Sequence, residues 1–149
     1  MTENAVIDRR PARPIARGVA LGAMRGAAVA LTVNITIWLV GRAGAPVRVV
    51  TGWAPDGADL TAGEVIATTV VAVGLGGALL GRMQRRTDRF RTWVIIVASV
   101  AVASALPLWR LDVDTGSKVT LSCMHLATGA CVIAAQFAAR RAASAGGPR

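Results

Sequence analysis

The chain has 149 residues, enough for one domain, with 54% hydrophobic residues, 17% charged residues and a formal net charge of +9. That apolar excess, a mean hydropathy of +0.53, excludes an ordinary soluble globular protein; lipid must solvate it. The charge does not indicate nucleic acid either, because the arginines cluster at the edges of apolar runs instead of forming a soluble basic face.

Residues 1–17 are polar, basic and broken by Pro11 and Pro14, and are expected to form a disordered cytoplasmic tail. Arg9-Arg10, an apolar run and Ala43-Gly44-Ala45 imitate a cleavable signal peptide. Arg42 intrudes before the small residues and Pro46 would follow the cut, so the run is read as a retained first span. It is completed to residues 21–41 if Arg25 snorkels to the head groups. In the following loop, residues 42–60, Pro46, Gly52, Trp53, Pro55 and Gly57 are turn and interface residues. Residues 46–50 could be extended, but too little chain remains for a sheet. Thr61-Ala62-Gly63-Glu64 is a capping box in which each side chain satisfies an orphan donor of a first helical turn; it starts a second span, residues 61–81.

A dense basic link, residues 82–91, leads to a third span at 92–109, bracketed by Trp93 and Trp109 as interface aromatics, with Pro107 in its last turn. The fourth span is the cleanest: residues 119–139 contain no charge and are closed by Lys118 and Arg140-Arg141. As a helix this run is ~31 Å long, matching the ~30 Å hydrocarbon core of a bilayer. Residues 142–149 form a second disordered cytoplasmic tail. The expected fold class is therefore all-α, a four-helix transmembrane bundle over residues 18–141.

Counting Lys and Arg on alternate sides gives thirteen on the side of the termini and the 82–91 link, and four, Arg42, Arg48, Arg110 and Lys118, on the other. Basic residues stay in the cytoplasm, so both termini are expected there, in a multi-pass plasma-membrane protein whose basic face favours anionic lipids.

Small residues recur every fourth position on the first span, at Gly18, Gly22, Gly26 and Ala30, continuing to Asn34 and Trp38. Gly74, Gly77 and Gly81 smooth the second span and Gly129 the fourth. Such faces let backbones approach closely, as a seam within the bundle or as the face of a homodimer or membrane-protein partner. The fourth span carries a polar ridge of Lys118, Ser122, His125, Gly129 and Gln136. Counting inward from the span ends places Asn34, Thr68, Ser104, Ser122 and His125 in one polar layer. An Asn34–His125 hydrogen bond and an outer-edge Glu64–Lys118 pair are expected from it. His125 is either structural or a proton-accepting or ligand-binding residue. Cys123 and Cys131 lie ~12 Å apart along one helix, beyond disulfide reach. No spaced ligand set, phosphate loop or nucleophile–base set is present, so no metal, cofactor or catalytic activity is expected.

A basic start, a first span ending near a Trp, Arg91-Thr92-Trp93 after a basic link, and Lys118 leading through Met124-His125-Leu126 to Gly129 and Val132-Ile133 form a recognisable order. It resembles an actinobacterial family of four-span membrane proteins known only as a domain of unknown function, over roughly residues 16–140. The resemblance implies fold and location and no activity. Small multidrug transporters also have four spans, but they depend on a glutamate in the first span where this chain has only Asn34. Two readings remain: a non-enzymatic structural or partner-supporting membrane component, and a small carrier or ligand binder with an outward-facing site around His125 and Asn34.

Overall fold

A computed structural model describes residues 13–51, 54–84 and 90–145, with side-chain packing defined for 21–50, 56–79, 82–83 and 90–142. In chain order these form α1 (Arg13–Gly41), β1 (Arg48–Thr51), β2 (Ala54–Asp59), α2 (Ala62–Gln84), α3 (Phe90–Ala105), a 3₁₀ turn (Leu106–Arg110) and α4 (Thr115–Ala145). Four helical stretches, Leu21–Gly41, Ala62–Leu79, Phe90–Arg110 and Thr115–Ala142, are long and apolar enough to cross a membrane. The fold is the expected four-helix transmembrane bundle.

Its element boundaries differ from the sequence reading in three places. Helix α1 begins at Arg13, so residues 13–17 are helical and not tail; Pro14 falls in the first turn, where a missing N–H costs nothing and the ring presets the helical φ. Helix α4 runs on to Ala145 through an alanine-rich stretch of high helix propensity. The third span is not one continuous α-helix: after Ala105 it tightens into the 3₁₀ turn, because Pro107 cannot donate to the carbonyl four residues back. Residues 1–12, 52–53, 85–89 and 146–149, including Trp53 and half of the basic link, lie outside the described residues.

The expectation of no sheet is corrected. β1 and β2 pair antiparallel, Arg48 opposite Asp59 and Val49 opposite Ala58, with an irregularity before Thr51 pairs Ala54. A lone hairpin is marginal in water, and here the helix ends hold it. The Arg48 N–H donates to Ser117 Oγ at the start of α4 (2.9 Å), and the Leu60 N–H donates to the Val47 carbonyl (2.7 Å). Gly57 takes φ +85°, which glycine adopts without strain, and the Arg48 guanidinium closes over it onto the Asp56 and Gly57 carbonyls.

Helix α1 packs most extensively on α4 and next on α2, while α3 packs on α4 and more lightly on α2; α1 and α3 lie across the bundle from each other. Two apolar clusters fill the interior. One joins Ala30, Val73, Phe90, Trp93 and Val132; the other, beneath the hairpin, joins Trp38, Val47, Val65, Leu121 and Met124. Large apolar side chains such as Met24, Val40, Leu75, Ile95 and Leu106 point outward, the distribution expected when lipid is the solvent and small residues draw the helices together. Ala30 is fully buried, and a Cβ at Gly22, Gly26, Gly77 or Gly129 would meet Gln136, Ala135, Ala23 or Ala101 respectively. Gly74 is corrected: a Cβ there would face open space, while one at Gly76 would meet Val132. The packing of Gly18 and Gly81 lies outside the described residues.

Candidate functional site

The polar side chains inside the bundle are the groups whose placement lipid makes most costly to get wrong, since an unpaired donor there has no water to turn to. Asn34 stands on the same face of α1 as Ala30 and Trp38 and is 2% exposed. Its Nδ2 donates to Thr69 Oγ1 of α2 (2.9 Å) and to Thr128 Oγ1 of α4 (2.7 Å). The Thr128 hydroxyl spends its own proton on the Met124 carbonyl (2.8 Å), so toward Asn34 it can only accept. That fixes the amide orientation and leaves Asn34 Oδ1 buried with no partner. One amide therefore clasps three helices.

The expected Asn34–His125 bond does not form. His125 Nδ1 lies 2.8 Å from the Leu121 carbonyl of its own helix. A carbonyl only accepts, so Nδ1 is the donor in this contact. His125 stands three residues before Thr128, which turns it ~60° around the helix from the residue that meets Asn34.

The expected polar layer dissolves into separate local arrangements. Thr68 is exposed and donates to the Glu64 carbonyl (2.7 Å); its neighbour Thr69, 3% exposed, is the residue that joins Asn34. Ser104 donates to the Ala101 carbonyl (3.0 Å), and Ser122 Oγ is buried without a partner. Threonine in a span reads as self-satisfied by the carbonyl four residues back, and this hid the accepting capacity of Thr69 and Thr128. Their recurrence on two different spans was the available signal.

The Glu64–Lys118 pair is also corrected. Glu64 Oε2 accepts from the Thr61 N–H and hydroxyl (both 2.8 Å), and the Glu64 N–H donates back to Thr61 Oγ1 (3.3 Å). This reciprocal capping box occupies the carboxylate at its own helix start. Lys118 sits in the first turn of α4, which Asp114 caps: Oδ1 accepts from the Ser117 N–H (2.9 Å) and Oδ2 from its hydroxyl (2.5 Å). The Ser117 hydroxyl, and after it the Ser117 N–H, holds the Asp114 carboxyl below the usual aspartate range.

Both described indoles that reach into the bundle act as clasps. Trp38 Nε1 donates to the Leu60 carbonyl (3.0 Å) and Trp93 Nε1 to the Gly76 carbonyl of α2 (3.1 Å). Trp93 is corrected from interface aromatic to core residue: it is fully buried and stacked on Phe90, 5.5 Å between centroids. Phe90 in turn meets Phe137 edge-on and lies under the Arg140 guanidinium. At the hairpin end, a half-open cleft of about 370 Å³ is lined by Trp38, Arg42, Pro46, Val47, Asp59, Leu60, Thr61 and Ala62. Arg42 lies 4.6 Å above the Trp38 ring.

Among the described residues no group of three His, Cys, Asp or Glu side chains could hold a metal ion, and both cysteines are free thiols. Over residues 12–144 the chain matches a family of unknown function (DUF6069), and it belongs to that family. No curated protein and no solved structure matches it.

Proposed function

We propose that this family member is a non-enzymatic component of the plasma membrane that supports a second copy or another membrane protein. In this reading both termini are cytoplasmic, and the arginines around residues 82–91 and 140–141 rest on anionic lipid. The observation that carries it is the use made of the buried polar groups. The Asn34 amide and the Trp38 and Trp93 indoles are each spent on another helix or on the hairpin, as in a scaffold, and Asn34 and His125 do not converge on one site.

The test is purification of the full chain in mild detergent, followed by mass spectrometry of co-purifying proteins and small molecules, for the wild type and His125→Ala. A stoichiometric membrane-protein partner, or a homodimer, retained in both supports the proposal. A tightly held small molecule lost on His125→Ala overturns it in favour of a carrier or ligand binder.

A further inference from the structure

The hairpin-end cleft lies between the last turn of α1, the base of the hairpin and the first turn of α2. The apolar stretches on either side of it stop at Gly41 and start at Ala62. The cleft therefore opens at the depth of the lipid head groups, whichever way the protein faces.

Two opposite charges line it, and neither has a charged partner among the described residues. Arg42 is exposed and holds its guanidinium carbon 4.6 Å from the Trp38 ring centroid, a contact with the ring face that uses none of its N–H donors. Asp59 makes no hydrogen bond or ion pair with a described residue, and the two form none with each other. The neighbouring charges are already engaged: Arg48 by the Asp56 and Gly57 carbonyls, and Glu64 by Thr61. A ligand that completes this cleft carries both an anion and a cation. A guanidinium edge matches two oxygens of a phosphate, and a carboxylate matches a primary ammonium. A lipid with only a phosphate and hydroxyls would satisfy Arg42 but bring its negative charge toward Asp59.

We propose that this cleft is a head-group site for a zwitterionic phospholipid, with the phosphate on Arg42 and a primary ammonium on Asp59. The site is independent of the supporting role proposed above and of the anionic lipid at the other end of the bundle. Both charged residues are exposed, so their substitution leaves the packed core intact.

The experiment places the full chain in nanodiscs of equal phosphatidylethanolamine and phosphatidylglycerol, transfers it to mild detergent, and measures the ratio of the two lipids retained. Wild type is expected to retain a phosphatidylethanolamine-to-phosphatidylglycerol ratio about threefold to fivefold above the bulk ratio, the scale of a partly exposed ion pair. Asp59→Asn should return the ratio to bulk, and Arg42→Gln should lower retention of both lipids, with unchanged gel-filtration elution and far-ultraviolet circular dichroism for each. A wild-type ratio equal to bulk, or one unmoved by Asp59→Asn, overturns the proposal. A second arm titrates soluble glycerophosphoethanolamine onto protein in phosphatidylglycerol discs. Saturable binding there that depends on Arg42 and Asp59, without lipid enrichment in the first arm, overturns the lipid as the occupant in favour of a soluble ligand.

Discussion

Removing the acceptors of the Asn34 clasp should destabilise the protein more than removing Asn34 itself. Hydrogen bonds between membrane helices contribute ~0.6 kcal/mol each on average, so the two from Nδ2 are worth about 1.2 kcal/mol together. Against this stands the unpartnered Oδ1, and a buried acceptor without a partner costs ~1–3 kcal/mol. Asn34→Leu loses both bonds and also removes the orphan, so its net effect should lie between a loss of about 0.2 kcal/mol and a gain of about 2 kcal/mol. Thr69→Val keeps the orphan acceptor and strands one buried N–H of the amide as well, at a cost of about 1–2 kcal/mol. In the Asn34→Leu background the same Thr69→Val change should cost close to nothing. The assay is a double-mutant cycle of equilibrium unfolding in mixed micelles, comparing the four proteins at one detergent composition. Equal costs for Thr69→Val in the two backgrounds would refute the clasp; so would a large loss from Asn34→Leu alone.

Gly129→Ala should separate α3 from α4, because its new Cβ would stand 2.7 Å from the Ala101 Cβ; overpacking of this kind costs ~1–3 kcal/mol, read as a lower unfolding midpoint that Ala101→Gly restores. Asp114 titrates below the ordinary aspartate range, so its stabilising contribution is complete above that range and is lost as pH falls through the lowered value. Thermal midpoints measured downward from pH 7 should accordingly converge for wild type and Asp114→Asn only at strongly acid pH, and a constant difference at every pH would contradict the cap. A reporter active only outside the cytoplasm, fused within residues 46–57, should be active, while one fused at Arg86 should be silent; the reverse pattern would invert the proposed topology.

What could be read from the sequence was whatever depends on one coordinate along the chain. Span positions follow from uncharged length, and the Thr61–Glu64 box from a local spacing that the structure reproduces. Depth in the membrane is also a distance along the chain, but azimuth is not. Each helix is turned about its axis by packing against its neighbours, and one residue changes that angle by ~100°. This separates Thr69 from Thr68, and a three-residue step, ~60°, separates Thr128 from His125 as the partner of Asn34. The hairpin was hidden because its stability comes from Ser117, more than sixty residues away. Trp93 was misplaced by a rule about where tryptophans gather, which gives no hint that the Gly76 carbonyl is within reach of its indole.

The bond from Arg48 to Ser117 also sets an order of events. The hairpin is made between the first and second helices, yet the group that holds its first strand belongs to the last. During synthesis the strand has to wait, with its N–H unanswered, until the start of α4 arrives beside it. The hairpin-end cleft, whose base is that same hairpin, is thereby completed only in a chain that has inserted all four helices. A chain truncated before Thr115 should be cut by protease at Val47–Val49 faster than the full chain, in which the Ser117 hydroxyl holds Arg48.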